Sequence, residues 1–447
     1  MNIKLNNFIN VFDKILRKYT PDPFIIAIIL TGILFSLAIY ITPYNTKDII
    51  RYWGDGFWNL IPFTLQMVMV LVGGYVVAIS PPIKKILHAI SRNANSPGQA
   101  IILVTLSSMI GSFLNWGLGL IIGAIMCRQL IKQVPKSNFR LLVASAYSGF
   151  IIWHGGLSGS IPLTLATPGN FSQTLAGGII PIQDTLLSTF NISTLITLFV
   201  VIPMTNWLLS FYKNIDPIII NKVKTKEKTV TSSIKKKFSP AEKIEKSPII
   251  SWFITGLGLS YLLIKIIYKE FSLNLNTINF IFLFSAIFLH KTPESFIKAI
   301  SEASTKVAPI LIQFPFYSGI MGIMSSSNLG ELLSKTFIEI STLNTFPLFA
   351  FYSAGLLNLF IPSGGGQWAI QAPVVLNAAK EIGANIPLTS MAVAWGDAWT
   401  NMLQPFWALP LLSIAGLHLR HIISYCFITL IISGTVITAL LILNSIY

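Results

Sequence analysis

Charge is scarce in this chain, and negative charge is scarcest. Asp, Glu, Lys and Arg make up 11% of 447 residues, and 31 Lys and Arg stand against 16 Asp and Glu. A soluble domain usually carries about 25% charged residues, so a water-facing globule is excluded. Cysteine is nearly missing. Cys127 and Cys426 lie in separate apolar segments without metal-ligand spacing, which argues against a disulfide framework. No small-residue cleavage site follows the first apolar run, so that run is expected to be an uncleaved anchor rather than a signal peptide.

What the chain has instead is apolar length. Hydrophobic residues reach 53%, and the runs 24–42, 58–80, 185–210, 249–268 and 421–444 are the clearest. Each approaches or passes the roughly 18 to 20 residues that cross a bilayer. The expected class is an all-α polytopic membrane protein embedded in the lipid bilayer.

The basic residues orient the runs. Lys4, Lys14, Arg17 and Lys18 precede the first one, which places the N-terminus in the cytoplasm. Lysines crowd residues 213–247, including Lys235, Lys236 and Lys237. That stretch lacks aromatic interleaving, so we expect a cytoplasmic linker and no nucleic-acid partner. It divides the chain into an N-terminal half, 1–212, and a C-terminal half, 248–447.

Two segments refuse a simple crossing. Residues 100–127 have basic flanks at both ends (Lys84, Lys85 and Arg92 before; Arg128, Lys132, Lys136 and Arg140 after). A segment that enters and leaves on one side is a re-entrant hairpin, and its centre reads GSFLNWGLG. Residues 346–379 contain PSGGGQW and are expected to form a second hairpin, entering from outside. The segment 328–343 is too polar to span and reads as an interfacial helix, and the loop 168–182, without Lys or Arg, is placed outside. The whole chain threads as about nine transmembrane helices and two hairpins. Non-helical backbone at membrane depth is tolerated only where protein or a water-filled cavity satisfies it.

Each hairpin is followed by an interrupted span: WHGGLSGSIPLT at 153–164 and WGDAWTNMLQPFWALP at 395–410. The shared order with opposite hairpin sidedness is the layout of an inverted-repeat secondary transporter, in which broken helices of both halves meet near the midplane.

The breaks carry the polar groups. A helix starting near Gly366 would point its positive end and free N–H groups at the break, a setting for an anion. The alternative is a tight turn packed against protein. The broken segments hold no Lys or Arg, so a carboxylate there would be held by dipoles, amides and hydroxyls. Asp397 is the one acidic residue well inside an expected span, and it serves either as a coupling site for H⁺ or Na⁺ or as an acceptor for Thr400, Asn401 or Gln404. His154 lies at nearly the equivalent place in the first half, as a packed core histidine or a proton carrier. Trp116, Trp153, Trp368, Trp395 and Trp399 flank the breaks, chiefly for packing, with one or two available to an alkyl chain.

NWGLGLIIGAI, WHGGLSGSIPLTLAT, IPSGGGQWAIQAP and GDAWTNMLQPFWALPLL, in that order, resemble the bacterial short-chain fatty acid transporter family, grouped with the ion transporter superfamily. The resemblance spans nearly the whole chain. It implies inverted repeats, two re-entrant hairpins, a homodimer, elevator-like movement, and uptake of butyrate- or acetoacetate-type monocarboxylates across the bacterial inner membrane. Ser-Asn-Thr triplets found in better-known superfamily members are absent. By position, Ser112 with Asn115 and Asn358 with Ser363 take their place, leaving both H⁺ and Na⁺ open. The expected substrate-binding set is Ser112, Asn115, Gly117, His154, Gly155, Gly156, Ser158, Asn358, Ser363, Gly364, Gly365, Gly366, Gln367, Thr400 and Asn401. The expected coupling ion sits at Asp397 with Asn115 and Asn358, and no cofactor is expected beyond that H⁺ or Na⁺. The rival functions are an anion channel and an intramembrane enzyme acting on acyl groups through His154.

Overall fold

The computed structural model describes residues 23–211 and 238–446, apart from 360, 362 and 404–406. The basic N-terminal residues and most of the Lys-rich linker therefore lie outside the described residues, as do Pro362 and Gln404. Among the described residues every regular element is helical. The N-terminal half runs α1 (Pro23–Ile41), α2 (Thr46–Gly56), α3 (Ile61–Ile79), α4 (Pro81–Arg92), α5 (Pro97–Leu114), α6 (Trp116–Gln133), α7 (Phe139–Ser148), a 3₁₀ turn (Gly149–Gly155), α8 (Ser160–Leu165), α9 (Gln173–Ala176) and α10 (Thr189–Leu209). The rest runs α11 (Pro240–Glu245), α12 (Pro248–Ile267), α13 (Leu275–His290), α14 (Pro293–Ser304), α15 (Ala308–Ser326), α16 (Leu329–Ile340), α17 (Phe346–Asn358), α18 (Gly364–Ile382), α19 (Ile386–Thr400), α20 (Ala408–Ala415) and α21 (Ile423–Ile446).

The starts of these helices follow from local chemistry. Ser96, Asn138, Ser188, Asn274 and Asn385 each accept a first-turn backbone N–H through the side chain. Such caps satisfy donors that a helix leaves orphaned. Proline in the first turn of α4, α5, α12, α14 and α15 is tolerated because its missing N–H would be unpaired there anyway.

Seven helices or helix runs among the described residues are long and apolar enough to cross a membrane: α3, α5, the Phe139–Leu165 run, α10, α12, α15 and Ile423–Asn444 of α21. Shorter apolar helices are Ala27–Ile41, α13 and α17. The segments between them are also helical, and here the structure adds to the expectation. Helices α2, α4 and α14 are amphipathic, and a search for apolar runs passes over them. The polar stretch 328–343 does form a helix, α16, which packs on α18.

The order of element types repeats. An apolar helix, an amphipathic helix, a second apolar helix and a second amphipathic helix lead into a hairpin, a broken helix and a last long helix. That order is α1 to α8 and α10 in the first half, and α13 to α21 in the second. One set, α1, α2, α3, α13, α14 and α15, packs together. The hairpins, broken helices, α10 and α21 pack as another, and the sets meet along α3–α6 and α15–α18.

Hairpin one is α5 and α6, joined by Asn115 alone. Asn115 is extended (φ −160°, ψ 128°) and ends one helix while beginning the next. Its N–H donates to the Gly111 carbonyl, and its side-chain oxygen accepts from Leu118 N at 3.1 Å. The arms touch through glycine: a Cβ on Gly111 would lie 2.8 Å from Gly119 Cα. Hairpin two is α17, which ends at Asn358, and α18, which begins at Gly364.

Candidate functional site

The two breaks face one another. The turn Gly149–Gly155 presents His154, α19 presents Asp397, and both side chains are fully buried. His154 Nδ1 lies 2.9 Å from Asp397 Oδ2. The other ring nitrogen, Nε2, accepts the Ile161 backbone N–H at 3.1 Å and lies 3.1 Å from Ser160 Oγ. A nitrogen that accepts an N–H carries a lone pair, so the single ring proton of a neutral imidazole resides on Nδ1, facing the carboxylate. Asp397 therefore pairs with His154, whereas Thr400 donates to the Gly355 carbonyl and Asn401 Nδ2 finds no acceptor among the described residues; Gln404, the third partner expected from sequence, lies outside them. The Trp153 ring stacks on His154, with centroids 4.0 Å apart.

The tip of hairpin two presses against this pair. Ser363 caps α18, its hydroxyl accepting from Gly366 N at 3.3 Å, so the helix begins at Gly364 rather than near Gly366. A Cβ on Gly364 would come within 2.6 Å of His154 Cε1 and 2.7 Å of Ser160 Oγ. On Gly365 it would strike Phe63, and on Gly366 Tyr317. The three glycines thus let a helix start butt against aromatic rings.

The remaining candidates divide by what they touch. Ser363, Gly364 and Gly365 line a central cavity with Ser160, Trp153, Trp116, Met67, Phe150, Ile310, Phe314 and Trp407. No Lys or Arg is among these lining residues. The cavity is about 20 Å³, room for a single water. The others brace the breaks. Asn115 donates to the Val70 carbonyl, and the Ser158 hydroxyl accepts from Trp116 N. Gly155 is packed against Trp395, Gly156 against the Phe113 backbone and Gly117 against the Leu71 carbonyl. Asn358 donates to the Asp397 carbonyl and to Thr400 Oγ1, Thr400 donates to the Gly355 carbonyl, and Asn401 accepts from Trp153 Nε1. Gln367 donates to the Ala354 carbonyl and to Gln371.

Several buried acceptors near these contacts have no donor among the described residues: Asp397 Oδ1, Asn358 Oδ1, Gln367 Oε1 and Ser112 Oγ. Unpaired buried oxygens are costly, and such groups call for a role.

Sequence reasoning missed Ser160, Met67, Phe150, Ile310, Phe314 and Trp407. Ser160 had a usable signal, since it lies six residues past His154 beside a Pro-marked helix start. The 168–182 loop is folded onto α18 and α3, with Trp368 Nε1 donating to Ser172 Oγ at 3.1 Å and Phe171 meeting Phe63. Trp368 and Trp395 are fully buried and serve packing, as expected.

Beside the central cavity opens a larger one of about 710 Å³, lined by Leu71, Tyr75, Gly117, Leu120 and Ile125 and by the charged Lys84, Arg128, Glu302 and Lys306. Three cations against one anion make this vestibule basic. Tyr75 donates to Glu302 at 2.6 Å and ties α3 to α14.

Two hairpins, two broken helices and a buried polar junction between them make up an all-helical fold with helices long and apolar enough to cross a membrane. The fold is shared with solved transporters: MtrF of Neisseria gonorrhoeae, described as illuminating a class of antimetabolite efflux pumps (TM-score 0.62, 14% identity, 97% of each chain), and YdaH of Alcanivorax borkumensis (TM-score 0.59, 14% identity, 95% of this chain and 98% of that one). The chain belongs to the short chain fatty acid transporter family, whose model matches residues 4–444. It is similar to proteins provisionally named short-chain fatty acid transporters in Escherichia coli K12 (41% identity, 95% of this chain and 96% of the relative) and Haemophilus influenzae Rd (39%, 97% and 98%).

The family is one of transporters, not enzymes, and the junction agrees. Ser160, His154 and Asp397 have the order of a nucleophile relay, but the Nε2 lone pair a serine would need already accepts the Ile161 N–H.

Proposed function

We propose that this protein is a cation-coupled carrier of short-chain monocarboxylates, butyrate and acetoacetate among them, in the bacterial inner membrane with its N-terminus cytoplasmic. The observation that carries the reading is the junction of His154 with Asp397, which ties the broken span of one half to that of the other. The substrate carboxylate would sit at the tip of α18, facing Ser363, Ser160 and the positive helix end. The alkyl tail would lie on Trp116, Trp153 and Phe314, the apolar wall of the central cavity. An anion buried without Lys or Arg needs a co-bound cation to offset its charge.

Asp397 is the candidate acceptor of that cation. Its Oδ2 is held by His154, while Oδ1 has no donor among the described residues and is the free position for a proton. Na⁺ is the second reading, favoured by the unpaired oxygens of Asn358 and Gln367 in the same region. The basic vestibule would concentrate the anion on the cytoplasmic side. Closure of the central cavity to the size of one water supports a carrier over an anion channel. The helix set containing α1, α2, α3 and α13 to α15 is the candidate scaffold past which the hairpins move in an inverted-repeat arrangement, within a homodimer. The test is uptake of radiolabelled butyrate into proteoliposomes under imposed H⁺ or Na⁺ gradients, in which absence of accumulation of any short-chain acid sinks the proposal.

A further inference from the structure

The partition between the two cavities is thin and aromatic. Trp116, Trp407 and Ile310 line both the central cavity and the vestibule. The two indoles meet edge to face, with centroids 4.8 Å apart and planes at 64°. Ile310 lies on α15, in the helix set that includes α3, whereas the two tryptophans sit at breaks. Trp116 is the first residue of α6, directly after the extended Asn115, and Trp407 occupies the turn immediately before α20. A residue at a helix start donates no intrahelical N–H bond, and the Trp116 N–H goes instead to the Ser158 hydroxyl at 2.8 Å. An edge-to-face pair contributes about 0.5–1.5 kcal/mol beyond the area it buries, and Phe150, with its ring centroid 6.3 Å from that of Trp407, extends the same aromatic layer.

The volumes require something to swing. The vestibule holds about 710 Å³ and the central cavity about 20 Å³. A four-carbon acid is several times larger than the one water that fits the latter. We propose that Trp116 and Trp407 are the two leaves of an aromatic gate between the vestibule and the central cavity. The leaves also touch the polar junction. Trp116 lies 6.5 Å from Trp153, which stacks on His154. Opening of the gate therefore disturbs the ring that covers His154, which links access to the site with the state of the coupling pair.

The inference rests on reading the central cavity as the substrate site, but its test needs no transport. A cysteine is placed in the central cavity as Met67→Cys, and a control cysteine in the vestibule as Ile125→Cys. The native Cys127 and Cys426 are buried and give the background. Reaction with a small membrane-impermeant thiol reagent is followed in inside-out vesicles containing the full-length protein. With both tryptophans present, Ile125→Cys reacts fast and Met67→Cys slowly. Adding Trp407→Ala speeds Met67→Cys labelling by about tenfold, the scale of one lost aromatic pair, and leaves the Ile125→Cys rate unchanged. Trp116→Leu, which removes the other leaf, gives the same acceleration. Unchanged Met67→Cys labelling in both variants, with the vestibule control intact, overturns the gate. So does labelling of Met67→Cys as fast as Ile125→Cys when both indoles are present. The gate can fail this test while butyrate uptake stands, and butyrate uptake can fail while the gate stands.

Discussion

His154 Nδ1 and Asp397 Oδ2, 243 positions apart in sequence, lie 2.9 Å apart at the junction of the two broken helices. Both side chains are essentially sealed from solvent. A buried pair of this kind is held by its two members jointly. Removing one leaves the other unsatisfied in a low-dielectric site.

The first consequence concerns coupling. Asp397→Asn keeps the shape and an amide oxygen opposite His154 but cannot bind a proton. Gradient-driven uptake is expected to be abolished, while detergent-solubilised protein remains monodisperse and folded. Normal accumulation by this variant removes Asp397 from the coupling role and leaves it a structural acceptor.

The second concerns stability. His154→Ala removes the donor to Asp397, the acceptor of the Ile161 N–H and the ring under Trp153. Breaking a buried pair in this way costs about 3–5 kcal/mol. His154→Gln retains an amide donor and is expected to recover part of the loss. Thermal unfolding in detergent separates them. Equal melting temperatures for the alanine variant and the parent would mean that the pair contributes little.

The third concerns the glycines. A Cβ on Gly156 would lie 2.4 Å from the Phe113 carbonyl oxygen, a backbone atom that cannot rotate away. Gly156→Ala is expected to cost about 1–3 kcal/mol from overpacking. Gly32 in α1 has nothing within 4 Å of its Cβ position. Gly32→Ala is therefore neutral or stabilising by up to about 1 kcal/mol, the helix preference of alanine. The two melting shifts should differ in sign or sharply in size.

The fourth concerns the vestibule. Arg128→Gln with Lys306→Gln leaves Glu302 opposed by Lys84 alone among the charged groups lining it. The KM for substrate presented from the vestibule side is expected to rise by on the order of tenfold at low salt. The difference should shrink as ionic strength shortens the screening length to about 8 Å at physiological salt. A salt-independent KM change would point to direct contact instead.

The site was legible where it departs from the local grammar of a membrane helix. Asn115, Ser363 and the run Gly364–Gly366 stand out because helix breakers in an apolar segment have few uses; Asn115 and Ser363 do cap helix starts, and Ser363, Gly364 and Gly365 line the central cavity. Asp397 and His154 stood out by polarity alone. Their pairing was not legible, because nothing in local pattern links positions 154 and 397. The packing role of the glycines was equally hidden, since Phe63, Tyr317 and His154 come from other helices. Helices α2, α4 and α14 escaped because an apolar-run search is blind to a stripe of mixed polarity.

The most direct measurement of the central claim is radiolabelled butyrate uptake into proteoliposomes under an inward H⁺ gradient, an inward Na⁺ gradient, or neither. The account predicts protein-dependent accumulation above the equilibrium level driven by one of these gradients, that of H⁺ if Asp397 Oδ1 is the proton site, and its loss in Asp397→Asn. Equilibration that follows the butyrate gradient alone, insensitive to both cations and unchanged in Asp397→Asn, would contradict it.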